Sequence, residues 1–342
     1  MIYIDNKTIE DKKRTHKKRT HKNKKLLSKR IALILLAELI ISILIFPILL
    51  LYGPFETVKK VYVGAAMGSM SHQYLATWFL SEEQITKIIG EKTESYDDKT
   101  DINVVNIPKN KDESIELYEI ADNPKFKGYY LLVKDPSRIK IGLTSKLGTE
   151  GETTSEIANN NGAIAAINGG AFVDKTSVNW TGTGACPDGI VMSEGKKVWN
   201  SLEYDGKSDL FAITKKGVLI VGQYSQKELE ELDVQEALSF NPALIINGNK
   251  MDMTEDGGLA PRTAIGQRED GTIILLVIDG RSLSSVGASY TDVQEVLYKL
   301  GAINAINLDG GRSTTMYYDG NVVNSLSNTM GERTIPTAVI VK

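Results

Sequence analysis

Three apolar runs in the second half of the chain end in the same kind of polar corner. Ala163–Asn168 leads into Gly169-Gly170, Ile273–Asp279 into Gly280-Arg281, and Ile303–Asp309 into Gly310-Gly311-Arg312-Ser313-Thr314-Thr315. Each corner sets an amide or carboxylate at the end of a strand-like segment, followed by glycine that lets a backbone approach a ligand. Backbone N–H groups in such turns bind anions, and flanking hydroxyls add donors. A fourth element, Pro261-Arg262-Thr263, opens the run Ala264-Ile265-Gly266 and brings a guanidinium whose planar fork suits phosphate. Taken singly, Asp-Gly and Asn-Gly are ordinary turn dipeptides and Arg262 an ordinary surface ion-pair partner. It is the recurrence of the corner that points to a site.

The scarce residues limit what that site can do. The three histidines are His16, His21 and His72, and the single cysteine is Cys186. Ser-His-Asp and Cys-His catalysis and a Cys/His zinc site are therefore excluded beyond residue 72, and no intrachain disulfide can form. Carboxylates, amides, hydroxyls, Arg, Lys, Tyr and backbone groups remain. Cys186 reads as a loop thiol with no histidine to activate it, and Trp180, within Asn179-Trp180-Thr181, as either a sugar-stacking or a packing residue. No cofactor is firmly implied. The alternative is Ca²⁺ or Mg²⁺ on the oxygens of Asp279, Asp309, Asn168 and Asn307, although no EF-hand-like loop is present.

Behind the corners the chain is rich in strands. Alternation and apolar runs predict them at 129–133, 139–143, 163–168, 189–192, 210–214, 218–221, 243–247, 263–267, 272–279, 303–308, 314–318 and 336–341. Helices are expected from Thr154, over Ser225–Leu238 and over Thr291–Leu300. Helices do not alternate strictly with strands, so the expected class is α+β, with a mixed or antiparallel sheet core and a few helices.

The N-terminal part has a different character. The net charge of −3 conceals twelve Lys/Arg against three Asp/Glu in residues 1–30, and a net −12 over the rest. Ile31–Tyr52 holds one charge, Glu38, and one proline, Pro47; as a helix it spans about 33 Å, enough for a hydrocarbon core. A transmembrane anchor behind a basic tail predicts a single-pass cell-membrane protein, its N-terminus cytoplasmic and its C-terminal domain extracellular. It also sets aside nucleic acid as the tail's partner. The expected organisation is a basic cytoplasmic tail (1–30), the anchor (31–52), a juxtamembrane helical segment and polar linker (53–115), and a globular domain (116–342).

Five ordered blocks carry a resemblance. Ala166–Phe172, Pro187–Ile190, Pro261–Gly266, Val277–Arg281 and Asn307–Thr314 together resemble the signature blocks of the phosphodiester glycosidase domain, over roughly residues 125–342. Two positions depart from its pattern: Ala171, where an aromatic is common, and Arg312, where Gly or Ser is common. The resemblance implies hydrolysis of a sugar-1-phosphodiester at the anomeric C–O bond, on a phosphorylated glycan such as an envelope polysaccharide. It implies Asp309 as the carboxylate nearest the anomeric carbon and Asp279 as its catalytic partner. Arg262, Thr263, Gly310, Gly311, Ser313 and Thr314 would hold the phosphate, Asn168, Gly169 and Gly170 would line the sugar or phosphate, and Arg281 would pair with Asp279. A non-catalytic binder of phosphorylated envelope polymers is the alternative.

Overall fold

The computed structural model describes residues 29–31, 33–42, 45–67, 72–89, 99–108, 112–120, 123–173, 183–253, 256–327 and 330–342. Most of the basic tail, part of the expected linker and the Asn179-Trp180-Thr181 triplet lie outside the described residues. The chain forms two compact units, Met1–Glu56 and Thr57–Lys342. In the first, the helix Lys29–Tyr52 is long and apolar enough to cross a membrane, and most of its Leu and Ile side chains are exposed.

The second unit is built around one core from three large antiparallel sheets, with a two-stranded ribbon of Phe172–Val173 and Cys186–Pro187. The large sheet runs in the order Ile115–Glu119, Gly128–Val133, Ile273–Ile278, Arg262–Arg268, Ala302–Leu308, Ala243–Ile246, Asn249–Lys250. A hairpin sheet follows the order Leu219–Ser225, Lys207–Thr214, Val234–Ser239, Ile190–Ser193, Lys196–Asn200. The terminal sheet, named for its C-terminal strand, has the order Asn321–Val322, Met316–Tyr318, Ala165–Asn168, Thr337–Val341, Ile139–Leu143. One face of each sheet turns inward: Leu275 and Ile306, Phe211 and Leu238, Ile167 and Val339 all belong to a single apolar cluster. The outer faces are covered by the helices Tyr290–Lys299, Gln226–Glu231 and Thr154–Asn160 respectively. Each helix starts at a capping box, Ser289 with Asp292, Ser225 with Glu228 and Thr153 with Glu156, so these starts are set locally.

The α+β expectation thus holds, and every pairing between the named strands is antiparallel. One expectation needs correction. The helix expected over Ser225–Leu238 stops at Glu231; Asp233 takes a left-handed φ of 54°, and Val234–Ser239 continues as a buried strand between two others. Its outward Val234 and Ala237 are covered by Leu229 of the preceding helix and by Val105 and Ile107, which periodicity alone does not reveal.

The compact unit also takes in residues ahead of 116. The helices Glu56–Met67 and Glu82–Ile89 belong to the folded unit, where the Ile89 carbonyl accepts from the N–H groups of Asp256 and Gly257. Thr100, 7 % exposed, covers an open sheet edge: its N–H donates to Val221 O (3.3 Å), and its hydroxyl accepts from Val221 N (2.9 Å). Val105 and Ile107 pack on the cluster below. Thr100→Val leaves the Val221 N–H buried without its acceptor and should cost about 1–3 kcal/mol, read as a lower thermal midpoint. An unchanged midpoint would mean that residues 99–107 are an appended linker after all.

Candidate active site

The three polar corners converge because the sheets that carry them are joined there. Asn168 ends a terminal-sheet strand and is fully buried. Its amide nitrogen donates to the Asp309 carbonyl (2.5 Å), while its oxygen accepts from Thr263 Oγ1 (2.7 Å) and Thr315 N (3.1 Å). One side chain therefore ties the large sheet to both ends of the segment 309–315. Both ends of this amide are engaged by the protein, so Asn168 acts as a brace at the site.

Asp279, 3 % exposed, ends the neighbouring strand of the large sheet. Its Oδ1 accepts from Asn324 Nδ2 (3.2 Å) and Ser325 N (3.1 Å). Asn324 also donates to Thr314 O (3.2 Å) and accepts from Met316 N (2.7 Å), which links Asp279 to the far side of the same segment. Burial pushes the Asp279 carboxyl above the usual carboxylate range; the bonds from Asn324 and Ser325 and the charge of Lys127 pull it back. Asp279 in turn helps burial and Glu119 to raise the Tyr129 hydroxyl.

Between these braces lies a group of unsatisfied oxygens. Asp279 Oδ2, Ser313 Oγ, Thr314 Oγ1 and Thr315 Oγ1 are buried with no hydrogen-bond partner. A buried polar atom left unpaired costs about 1–3 kcal/mol, and native proteins tolerate few. Four of them, on Asp279 and on the segment that Asn324 ties to it, mark a place built to meet a polar ligand.

The glycines divide into two kinds. Gly169 and Gly170 are small because protein atoms approach them: an added Cβ would stand 2.5 Å from Thr337 O in the first case and 2.4 Å from Ser239 O in the second. Gly169 N donates to Thr337 O. Gly169 lets the neighbouring strand of its own sheet approach and Gly170 a strand of the hairpin sheet, so both face protein atoms. Gly310 likewise passes Pro261 O, 2.7 Å from its Cβ position, whereas Gly311 adopts a φ of +63° and faces the Arg281 guanidinium at 3.3 Å.

The arginines are placed differently from expectation. Arg262 lies on the helix-covered face of the large sheet, where Nε donates to Ala288 O (2.9 Å) and Nη2 to Gly257 O (2.6 Å) and Gly258 O (2.7 Å). Its guanidinium stacks 4.1 Å over Tyr290. It fastens the loop around Gly257 and Gly258 to the start of the helix. Arg281 does not pair with Asp279; its guanidinium lies by Gly311, held below the ordinary arginine range by burial, Arg262 and Arg312. Of the alternative metal donor set, the Asn168 oxygen is engaged, accepting two hydrogen bonds. Among the described residues no three His, Cys, Asp or Glu side chains are grouped as metal ligands.

Sequence reasoning missed Asn324, Ser325 and Thr315. Thr315 continues a hydroxyl run already singled out, but Asn324 is 45 residues from Asp279 and outside any glycine corner. For a carboxyl raised by burial, stability is present below its unfolded pKa and is lost as pH rises through the folded value. Asp279→Asn removes that loss, and the neutral-pH stability should rise by about 1 kcal/mol. The gain should fade as the solution is acidified toward the ordinary carboxylate range. A variant less stable than wild type at neutral pH would contradict the burial argument.

With this geometry in place, comparison with known proteins becomes informative. The family model for phosphodiester glycosidase matches residues 161–342, more than half of the chain. N-acetylglucosamine-1-phosphodiester alpha-N-acetylglucosaminidase of Bos taurus is 30 % identical over 191 residues, which is 50 % of this chain and 34 % of that protein. The SPbeta prophage-derived protein YomE of Bacillus subtilis is 40 % identical over 80 residues, 23 % of this chain and 12 % of that one. The chain thus spans a third or less of the length of these two curated relatives. The catalytic domain of the zebrafish N-acetylglucosamine-1-phosphodiester alpha-N-acetylglucosaminidase, solved auto-inhibited by its pro-peptide, shares the fold. Its TM-score is 0.55 at 24 % identity, covering 69 % of this chain and 86 % of that one. The matched residues hold Asn168, Arg262, Asp279, Arg281 and the 309–315 segment, and the chain belongs to the phosphodiester glycosidase family.

Proposed function

We propose that the protein hydrolyses a sugar-1-phosphodiester at the anomeric C–O bond, and that the orphaned oxygens around Asp279 and residues 313–315 line the reacting centre. That cluster of buried, unpaired oxygens is the observation that carries the reading. The leaving group is a phosphate monoester, a much weaker base than an alcohol, so a strong general acid is less needed than in ordinary glycoside hydrolysis. A site without histidine is sufficient for such a reaction.

In the step we envisage, a nucleophilic oxygen forms a bond to the anomeric carbon while the C–O bond to phosphate breaks. The electron pair departs with the phosphate. Asp309, half-buried and braced through its own carbonyl, is the carboxylate at the anomeric carbon, either accepting a proton from water or attacking directly. Asp279, buried and with its carboxyl pushed upward, is the proton-holding partner. Ser313 and Thr314 donate to phosphate oxygens, and Arg281 adds the charge. Arg262 and Asn168 are positioning residues that act through the loops they fasten.

The helix Lys29–Tyr52 and the basic residues before it support a single-pass anchor, with the cytoplasm on the N-terminal side. The substrate is then a phosphorylated glycan outside the membrane, such as an envelope polysaccharide. Release of free sugar from a synthetic sugar-1-phosphodiester tests the activity. Asp309→Asn should lower kcat by about 10²-fold or more with an unchanged thermal midpoint. Wild-type turnover in that variant would sink the assignment, and tight binding without turnover by the wild type would favour a binding protein.

A further inference from the structure

The loop that begins at Asp309 carries more positive charge than one phosphodiester requires. Arg312 is exposed immediately after Gly311, and Arg281 is exposed on the neighbouring corner. The Arg281 guanidinium reaches the same glycine: Nη2 and Nη1 stand 3.3 and 3.7 Å from the Cβ position of Gly311. Neither guanidinium has a carboxylate within ion-pair distance or a hydrogen-bond acceptor among the described residues. The charges acting on Arg281 are those of Arg262 and Arg312, and both repel it. Arg262 gives three of its N–H donors to backbone carbonyls, and its charge remains.

Like charges gathered without a counter-ion raise the energy of the folded state and focus a positive potential on the space before them. An anionic ligand relieves both. A phosphodiester carries a single negative charge, so binding it leaves at least one of the two exposed guanidinium groups uncompensated. Next to this pair the hydroxyls of Ser313 and Thr314, 1 % and 2 % exposed, have no partner in the protein. The place is therefore supplied with both charge and directed donors.

We infer that Arg312, beside the Arg281 that serves the scissile phosphate, forms an anion subsite for a second acidic group of the substrate, so that the preferred substrate is a polyanionic glycan. This rests on the glycosidase reading above and extends it from one bond to the charge pattern of the polymer. Arg312 is the specificity-determining member, since it projects from the loop surface and braces nothing.

The test compares two synthetic substrates with the same sugar-1-phosphodiester, one bearing a propyl and one a 3-phosphopropyl group on the phosphate, using the full chain in detergent. A solvated charge-assisted contact should favour the phosphopropyl substrate by about tenfold in kcat/KM. In Arg312→Gln the ratio should fall toward unity, while Arg312→Lys, which keeps the charge, should retain most of it. Equal kcat/KM for the two substrates in wild type, or a ratio unchanged in Arg312→Gln, overturns the inference. If neither substrate is cleaved, the glycosidase reading fails and calorimetry decides the subsite by itself. Propane-1,3-bisphosphate should then bind wild type at least about fivefold more tightly than propyl phosphate, with the difference lost in Arg312→Gln. Equal binding of the two probes overturns the subsite.

Discussion

The fold depends on closing the gaps where three sheets meet without a shared ladder of backbone hydrogen bonds. An edge strand exposes N–H and C=O groups that must find partners once buried. Here the partners are buried side chains from the adjoining sheet. Glu236 of the hairpin sheet, fully buried, accepts from the N–H of Ile141 on the edge of the terminal sheet, with Lys140 at 3.3 Å balancing its charge. Gln267 of the large sheet accepts from Leu219 N, and Asn304 donates to Leu219 O, on the edge of the hairpin sheet. Asn168 makes the third junction, between the terminal and large sheets.

The third junction differs from the others in what it holds. Glu236 and Gln267 satisfy strand edges and nothing further is built on them. Asn168 instead fixes the carbonyl of Asp309 and the N–H of Thr315, so the loop bearing the orphaned oxygens is anchored at both ends. Gly169 and Gly170 make this possible by letting Thr337 and Ser239 approach to distances that any side chain would block. The rigid junction is thus also the support of the site, which is how unsatisfied buried oxygens can persist without local collapse. Their cost falls on a core that all three sheets share.

Much of this was legible in the linear sequence. The corners at Asn168, Asp279 and Asp309 do close buried strands, and the helix starts at Thr153, Ser225 and Ser289 follow from capping chemistry. For Arg262, residue type alone favours phosphate for a guanidinium after Pro261. Strand alternation puts Arg262 on the face of Ala264 and Ile278, under the helix Tyr290–Lys299, and backbone carbonyls take three of its N–H donors there. The paired glycines were read as ligand cradles, though close backbone approach can serve another sheet equally well.

The sequence by itself determined the local decisions: which segments are apolar strands, where helices start, and which chemistries are excluded by a single cysteine and by histidines confined to the first 72 residues. Those depend on side-chain type and short-range spacing. Only the tertiary structure decided which polar groups are spent and which are left over. Asn168 and Asn324 are the same residue type as many turn asparagines. Their meaning comes from reaching Asp309 and Asp279 across 141 and 45 residues. Whether a hydroxyl or guanidinium is satisfied is a property of its neighbours in space, so Ser313, Thr314, Arg281 and Arg312 stand out as available only once the sheets have closed around them.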